Sequence, residues 1–187
     1  MHPSAPDLSD LLLTPEQAAG LDAHGSTDAA VLLPMYGWPQ RPGLVFTERR
    51  ADLRRHAGEI SFPGVRQERP DEDLRLTALR ETEEEIGLDS AAVELVGALP
   101  PIGTYVTSYR IHPFVGLIPA DLELAPNPAE VAAVLQFELD RLREGYAMRR
   151  LVRRGIPIRT PTFEVDHHLI WGATGRILRE LLRRLAM

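Results

Sequence analysis

The stretch of sequence that decides the fold is an acidic segment near the middle of the chain. It reads Arg80-Glu81-Thr82-Glu83-Glu84-Glu85-Ile86-Gly87-Leu88. An α-helix turns by about 100° per residue, so Glu81, Glu84 and Glu85 fall on one face of it. The opposite face collects Leu76, Leu79, Thr82 and Ile86. This pattern predicts a helix that packs on a sheet through its apolar face and presents three carboxylates together on the other.

Two interpretations of these carboxylates are open at this point. One is an acidic helix flank that faces solvent. The other is a metal site, because like charges three and four residues apart destabilise a helix by about 0.2–0.5 kcal/mol per pair when nothing screens them. Carboxylate oxygens suit Mg²⁺ or Mn²⁺, and water and substrate phosphates usually complete the coordination of such ions.

The spacing around this helix resembles the signature of the Nudix hydrolase family. That signature consists of Glu, seven residues, Arg-Glu, an aliphatic residue, any residue, Glu-Glu, any residue, Gly and an aliphatic residue. Glu72 stands eight residues before Arg80, and the remaining positions follow in register. Thr82 replaces the usual aliphatic residue. The signature's glycine is expected where Arg66 stands, and the nearest glycine is Gly64, so the loop is longer by two residues.

A second motif, upstream of the helix, resembles the coenzyme A pyrophosphatase branch of that family. The branch carries an apolar strand, Thr-x-Arg, Leu-Arg-x-His-x-Gly and Phe-Pro-Gly-Gly. The corresponding segments are Leu44-Val45-Phe46-Thr47-Glu48-Arg49 and Leu53-Arg54-Arg55-His56-Ala57-Gly58-Glu59-Ile60-Ser61-Phe62-Pro63-Gly64-Val65. Val65 replaces the second glycine, and Arg50 stands where the branch usually has Ser. Further similarities continue downstream, so the resemblance spans residues 28–187.

The resemblance implies a reaction and the residues that perform it. The reaction is hydrolysis of the pyrophosphate bond of coenzyme A to adenosine 3′,5′-bisphosphate and 4′-phosphopantetheine, with Mg²⁺ or Mn²⁺ as cofactor. Glu81, Glu84 and Glu85 are the implied metal ligands and catalytic residues, and Arg80 is implied to orient them. The general base is Glu81 or Glu84 within the helix, or Glu130 on a distant loop.

The upstream motif supplies the candidate substrate-binding residues: Arg49, Arg54, Arg55, His56, Phe62 and Gly64. Coenzyme A carries a 3′-phosphate, and arginine binds phosphate through two parallel hydrogen bonds. Phe62 either stacks on adenine or belongs to the core. His56 is expected to form a hydrogen bond to substrate or backbone, and Gly64 is in the first place a turn residue.

The chain as a whole predicts an α/β protein of Nudix type, with a mixed β-sheet between helices in an α/β/α sandwich. The expected domain is 28–187, preceded by a tail and a short helix at 1–27, in which Thr14 caps the helix and Pro15 begins it. Strands are predicted at 29–35, 44–46, 93–99, 111–118, 131–139 and 163–165, with Pro113 indicating an edge or a bulge. Long helices are predicted at 71–86, with acids in the first turn and Gly87 as the stop, and at 170–185.

Composition excludes several classes of protein. The 187 residues carry a net charge of −6 and no cysteine, which argues against a general nucleic-acid binder and excludes disulfide scaffolds and thiolate metal sites. No apolar run approaches the ~18 residues of a membrane span, and the N-terminal residues lack the pattern of an export signal. We therefore expect a cytoplasmic protein that acts on a small molecule, with no nucleic-acid or membrane partner.

Two matters stay open from the sequence. The arginines at 149–154 and 176–184 are expected to lie on solvated helix faces, with a homodimer contact or an acidic partner as the alternative. The function could also be that of a Nudix pyrophosphatase acting on ADP-ribose or another nucleoside diphosphate derivative, or that of a non-catalytic nucleotide-binding module. The presence of all three glutamates disfavours the last.

Overall fold

A mixed β-sheet lies at the centre of the molecule. The computed structural model describes residues 7–52, 58–67, 73–104, 107–153 and 155–185. The sheet contains β1 (Thr27–Tyr36), β2 (Gly43–Arg49), β3 (Ile60–Ser61), β4 (Gly64–Arg66), β5 (Glu94–Ala98), β6 (Ile102–Gly103), β7 (Tyr109–Leu117) and β8 (Val131–Glu138). Its main order is β3-β2-β1-β7-β5, with β4 beside β1, β6 beside β7 and β8 beside β2. The pair β1–β7 is parallel, whereas the other pairs are antiparallel.

Within these described ranges, a smaller sheet and five α-helices surround this centre. The small sheet contains β9 (Tyr146–Arg153), β10 (Ile156–Val165) and β11 (His168–Ile170), in the order β11-β10-β9. The helices are α1 (Leu8–Leu11), α2 (Pro15–Ala19), α3 (Leu74–Ile86), α4 (Leu139–Glu144) and α5 (Gly172–Leu185), and a 3₁₀ turn covers Ser90–Ala92. The predicted strands of the central sheet are confirmed, with ends that differ by a few residues.

The two faces of the central sheet pack against different helices. Along β1, Ala30 and Leu32 join a cluster with Ala78 and Ile86 of α3. The alternate residues of β1 point to the other face and join a second cluster with the apolar side of α5, which comprises Ile177, Leu178, Leu181 and Leu182. This alternation follows from the period of two in a strand. The predicted α/β/α sandwich is confirmed.

Helix α3 has clear signals at both ends. Asp73 precedes it and accepts a hydrogen bond from the N–H of Arg75 at 2.8 Å, which satisfies one of the free donors of the first turn. Gly87 ends the helix with a φ of 68°, as predicted. The expected start near residue 71 and the expected acids in the first turn are wrong, because the side chain of Asp73 caps the helix and Leu74 begins it.

The arginine-rich segment around residue 150 forms a strand instead of a helix face. Residues 146–153 pair with 156–163 in an antiparallel hairpin, and Gly155, with a φ of 79°, lies in the connection. The pairing of β9 with β10 corrects two of the sequence-based predictions. Arg149 and Arg150 lie on β9, and β10 is much longer than the predicted strand at 163–165. Helix α5 also begins later than predicted, because Ile170 belongs to β11, where it pairs with Phe163 of β10.

Pro113 does not mark an edge of the sheet. Its strand β7 lies between β1 and the two strands β5 and β6. The carbonyl of Pro113 accepts a hydrogen bond from the N–H of Leu99 at 3.0 Å, at the point where the chain passes from β5 to β6. The missing N–H of proline therefore coincides with a break in the neighbouring ladder, which is why an interior strand tolerates it.

The segment before β1 also contributes to the core. Thr14 caps α2 in a capping box with Gln17, which confirms the predicted start at Pro15. Leu8 and Leu12 are buried in the cluster that includes α5. Among the described residues, no helix has both the length and the apolar character needed to cross a membrane.

The parallel pair β1–β7 has a charged contact at its beginning. The pKa of Asp28 in this contact predicts how stability depends on pH. Asp28 accepts two hydrogen bonds from Arg110, at 2.6 and 2.9 Å, and its Oδ1 lies 2.9 Å from Nε2 of His112. The hydrogen bonds from Arg110 lower the pKa of Asp28 from 3.8 to about 2. Because the pKa is lower in the folded state, this stabilisation is fully present above about pH 4 and disappears as the pH falls towards 2.

We therefore expect Asp28→Asn to lower the free energy of unfolding by about 1–2 kcal/mol at pH 7. This value is smaller than the free energy that corresponds to the full pKa shift of Asp28, because the carboxyl is partly exposed. Urea titrations at pH 7, 4 and 3 measure it, and the difference from the wild type should narrow at the lowest pH. Glu138→Gln, which breaks an exposed pair with Arg41, is the control and should change stability by less than about 0.5 kcal/mol. Equal stability of Asp28→Asn and the wild type at pH 7 would contradict this account.

Candidate active site

The central residue of the candidate site is Glu85, which lies on the buried side of α3. Glu85 is only 7% exposed, and the nearby Thr82 and Ile86 are also buried. Leu76, by contrast, is 59% exposed. The expected division of the helix into an apolar inner face with Leu76 and an outer face with all three carboxylates is therefore wrong. The helix packs through small residues such as Ala78, and Glu85 faces the sheet.

A glycine makes the close approach beneath Glu85 possible. Gly64, at the start of β4, donates its backbone N–H to Oε2 of Glu85 at 3.2 Å. Its φ is 141°, and a Cβ at this position would lie 2.2 Å from the carbonyl oxygen of Ala30. No other residue fits here without moving the backbone of β1. The structure thus places Gly64 against a carboxylate of α3, where its backbone orients Glu85.

Burial, together with the surrounding charges, produces a large change in the pKa of Glu85. Burial raises the pKa of Glu85 to about 7, and the nearby carboxylates of Glu130 and Glu81 contribute in the same direction. The hydrogen bond from Gly64 and the positive charge of Arg49 act in the opposite direction. Burial also raises the pKa of Glu81, to which Glu84 and Glu130 add. We refer to Glu81, Glu85 and Glu130 as the carboxylate cluster.

Arg80 connects the two remaining glutamates of the signature. One of its terminal nitrogens, Nη1, donates to Glu81 and also reaches Oε1 of Glu84 at 3.2 Å. The side chain of Glu81 is 13% exposed, whereas that of Glu84 is 59% exposed. Arg80 therefore contacts two of the three glutamates that it was expected to orient, and Glu84 lies on the outer side of the group.

Glu130 reaches the cluster from a separate part of the chain. Its loop runs from the end of β7 to β8. Two backbone hydrogen bonds attach this loop to α3: Ala125 N–H to Ile86 oxygen and Asn127 N–H to Glu85 oxygen, both 2.8 Å. Glu130 itself is exposed. The structure thus brings the distant candidate base near the metal-binding candidates of the helix, about 45 residues earlier in the sequence.

Arg49 supplies positive charge beside this group of acids. It lies at the end of β2, and its charge lowers the pKa of Glu85. Within the part of the chain that the structure describes, the Nε of Arg49 is buried and has no hydrogen-bond partner. A buried donor without a partner costs about 1–3 kcal/mol. An anionic ligand that accepts from this nitrogen would remove that cost.

The other candidate substrate-binding residues divide into two groups. Phe62 is 2% exposed and stacks on Phe46 with ring centroids 4.6 Å apart, in the cluster on the α5 side of the sheet. Of its two expected roles, the structure therefore supports the core and not the stacking on adenine. Arg54, Arg55 and His56 lie outside the described residues, as does Glu72 of the signature.

The donor set fits a hard divalent cation. Among the described residues, no three acidic or histidine side chains are arranged as a complete metal cage. Mg²⁺, however, usually takes only one or two protein carboxylates and completes its octahedron with water and phosphate oxygens. Glu81 and Glu85 offer such oxygens, and a cation there would stabilise the charged forms that burial and, to a lesser degree, repulsion disfavour.

A cleft of about 400 Å³ at the other end of α3 does not coincide with this chemistry. It lies between α2 and the start of α3, where Asp28, Leu74, His112 and Phe114 line it. The carboxylate cluster is not part of its lining. We therefore place the candidate active site by its charges and not by the volume of this cleft.

Comparison with known proteins assigns the chain to a family. A family description, NUDIX domain, matches residues 26–154, and the chain therefore belongs to the Nudix family. Two similar proteins bear the name Uncharacterized Nudix hydrolase NudL. The one from Escherichia fergusonii is 40% identical over 161 residues, which cover 85% of this chain and 83% of that protein. The one from Klebsiella pneumoniae is 41% identical with the same coverage.

Solved structures agree on the fold. The MutT protein from Methanosarcina mazei Go1 aligns with a TM-score of 0.57 at 13% identity, over 90% of this chain and 99% of its own. A C. elegans Ap4A hydrolase aligns with the same TM-score at 14% identity, over 86% and 98%. The protein is thus a Nudix hydrolase by family. Nudix hydrolases generally use a divalent metal such as Mg²⁺ or Mn²⁺.

The carboxylate cluster predicts that Mn²⁺ stabilises the protein. A ligand that binds only the folded state at 100 times its Kd adds about 2.7 kcal/mol to the free energy of unfolding. We expect Mn²⁺ to raise the Tm of the wild type and to have little effect on Glu85→Gln, measured by thermal denaturation at increasing Mn²⁺. Glu83→Gln is the matched control, because Glu83 is an exposed residue of the same helix. Equal Mn²⁺ effects on the two variants would exclude Glu85 as a ligand.

Proposed function

We propose that this protein hydrolyses the pyrophosphate bond of coenzyme A in a reaction that depends on Mg²⁺ or Mn²⁺. The products are adenosine 3′,5′-bisphosphate and 4′-phosphopantetheine. The observation that carries the proposal is the carboxylate cluster beside the buried Nε of Arg49, which has no hydrogen-bond partner among the described residues. One site thus offers oxygens for a metal and a cation for a phosphate. The motif at residues 44–65, which resembles the coenzyme A pyrophosphatase branch, supports this choice of substrate.

The reaction requires a water molecule to attack a highly charged diphosphate. The water oxygen forms a bond to one phosphorus, and the bond from that phosphorus to the bridging oxygen breaks, so that the bridging oxygen leaves with the other phosphate. Glu81 and Glu85 would hold a divalent cation, which would supply charge neutralisation and lower the pKa of a water molecule. Arg49 adds positive charge for the phosphate oxygens, since charge-assisted hydrogen bonds to a guanidinium are strong.

The proton of the attacking water needs an acceptor, and Glu130 is the residue we assign to this role. It is exposed and comes from a loop outside the helix. It is close enough to Glu81 and Glu85 to raise the pKa of both. Glu81 and Glu84 are less suitable because Arg80 contacts both of them. Glu85 is less suitable because its Oε2 accepts from Gly64.

Recognition of the 3′-phosphate is assigned to the loop that follows Arg49. Two backbone hydrogen bonds close the base of this loop: Arg49 N–H to Glu59 oxygen at 3.1 Å and Gly58 N–H to Arg49 oxygen at 3.2 Å. The loop therefore leaves and re-enters the fold beside Arg49. Arg54, Arg55 and His56 belong to this loop in the sequence, and we propose that they distinguish coenzyme A from nucleoside diphosphates without a 3′-phosphate.

Product analysis tests the reaction. With coenzyme A and either Mg²⁺ or Mn²⁺ we expect equal amounts of the two named products by chromatography and mass spectrometry, and no turnover with excess chelator. Glu85→Gln should lower kcat by at least about 100-fold, because it removes a charged ligand from the metal site. Glu83→Gln should retain kcat within about twofold. Turnover of ADP-ribose but not of coenzyme A would assign the site to the alternative substrate class.

A substrate pair tests the role of the loop. We expect Arg54→Ala or Arg55→Ala to raise KM for coenzyme A by about tenfold or more, because a charge-assisted hydrogen bond contributes about 1.5–3 kcal/mol. The KM for dephospho-coenzyme A, which lacks the 3′-phosphate, should change much less. Arg41→Ala, an exposed arginine outside the loop, is the control for charge alone. Similar increases in KM for both substrates would contradict the assignment.

A further inference from the structure

We propose that Arg50 is a positioning residue that holds the Glu130 loop, residues 125–130, against the end of β2. The inference rests on the proposed role of Glu130 as proton acceptor. Arg50 stands immediately after β2, and within the part of the chain that the structure describes its side chain bonds Asp52 and Pro128 instead of a carboxylate of the cluster. Its effect on the reaction therefore acts through the position of another residue.

Two contacts join Arg50 to the Glu130 loop. The backbone N–H of Arg50 donates to the carbonyl oxygen of Glu130 at 3.1 Å. The side chain reaches further along the loop, and its Nη1 donates to the carbonyl oxygen of Pro128 at 2.6 Å. The same arginine thus fixes the backbone at Glu130 itself and two residues before it.

A third residue fixes the direction of the Arg50 side chain. Asp52 accepts from Nε at 2.9 Å and from Nη2 at 2.6 Å, a two-pronged contact that uses one edge of the guanidinium. The remaining nitrogen, Nη1, then points to Pro128. These hydrogen bonds from Arg50 lower the pKa of Asp52, so the pair stays charged at neutral pH. Lysine has no planar fork and cannot reproduce both contacts at once.

The β2–β8 pair is irregular at the end where Arg50 contacts the Glu130 loop. The pairing of β2 with β8 is regular from Gly43 to Glu48, and its register then shifts before Arg49 pairs with Val131. Glu130 immediately precedes Val131 and therefore lies at this irregular end of the ladder. On the other side, the hydrogen bond from Asn127 to Glu85 attaches the loop to α3. Arg50 therefore supplies the second attachment, on the side where the strand pairing is irregular.

A purely structural surface contact would give a different result from a positioning contact, and a double-mutant cycle separates them. We expect Arg50→Ser to lower kcat about tenfold with KM changed less than twofold, because the loss concerns the position of the base and not substrate binding. In Glu130→Gln the same change at Arg50 should have almost no further effect. Arg50→Lys should recover part of kcat, since it retains one donor for Pro128.

Arg41→Ser is the matched control for this cycle. Arg41 is an exposed arginine that bonds Glu138 at 2.5 Å, at the opposite end of the β2–β8 pair. It should leave kcat within twofold, alone or with Glu130→Gln. The inference is overturned if the Arg50→Ser and Glu130→Gln effects multiply, or if Arg50→Ser raises KM while kcat is unchanged.

A measurement without substrate keeps this inference separate from the proposed function. Hydrogen exchange of the purified protein should show faster exchange of the amides at 127–131 in Arg50→Ser than in the wild type or Arg41→Ser. If the wild type hydrolyses neither coenzyme A nor ADP-ribose, the proposed function is wrong, and unchanged exchange in Arg50→Ser would also overturn the holding of the loop. An active enzyme with unchanged exchange would overturn the inference alone.

Discussion

The contact between the buried carboxylate of Glu85 and the backbone N–H of Gly64 is the constraint on which the site depends. It requires that α3 lie close over β4, and this closeness requires a glycine whose α-carbon fits against the backbone of β1. Burial of Glu85 is unfavourable by itself, because desolvation raises its pKa to about 7. A carboxylate kept in such a place is suited to a function in which a cation compensates its charge.

The site gathers residues from four separate segments around that contact. Arg49 comes from the end of β2, Gly64 from β4, Glu81 and Glu85 from α3, and Glu130 from the loop before β8. The parallel pair β1–β7 stands beneath α3 and gives it a fixed support, since β1 lies between β2 and β7. The chemistry therefore lies on loops and one helix, whereas the sheet determines their distances.

The sequence was sufficient for the class of fold and for the acidic helix, because fixed spacings and apolar runs are local properties. It was insufficient where tertiary contacts decide. The helical pattern assigned Leu76 to the inner face, but small residues and Glu85 occupy that face because β4 approaches so closely. The charge density around Arg149 and Arg150 favoured a helix, whereas their strand is set by pairing with a partner that follows Gly155. The proximity of Glu130 depends on backbone hydrogen bonds that no side-chain pattern records.

The order of elements along the chain has a consequence for the newly made polypeptide. The central pair joins residues 27–35 to 109–117. Strand β1 therefore cannot pair with β7 until well over half of the chain has left the ribosome. Helix α5, which contributes to the apolar cluster on one side of the sheet, follows all the strands described above. Until α5 is made, this cluster lacks Ile177, Leu178, Leu181 and Leu182, and chains cut short before Gly172 should attract chaperones or precipitate.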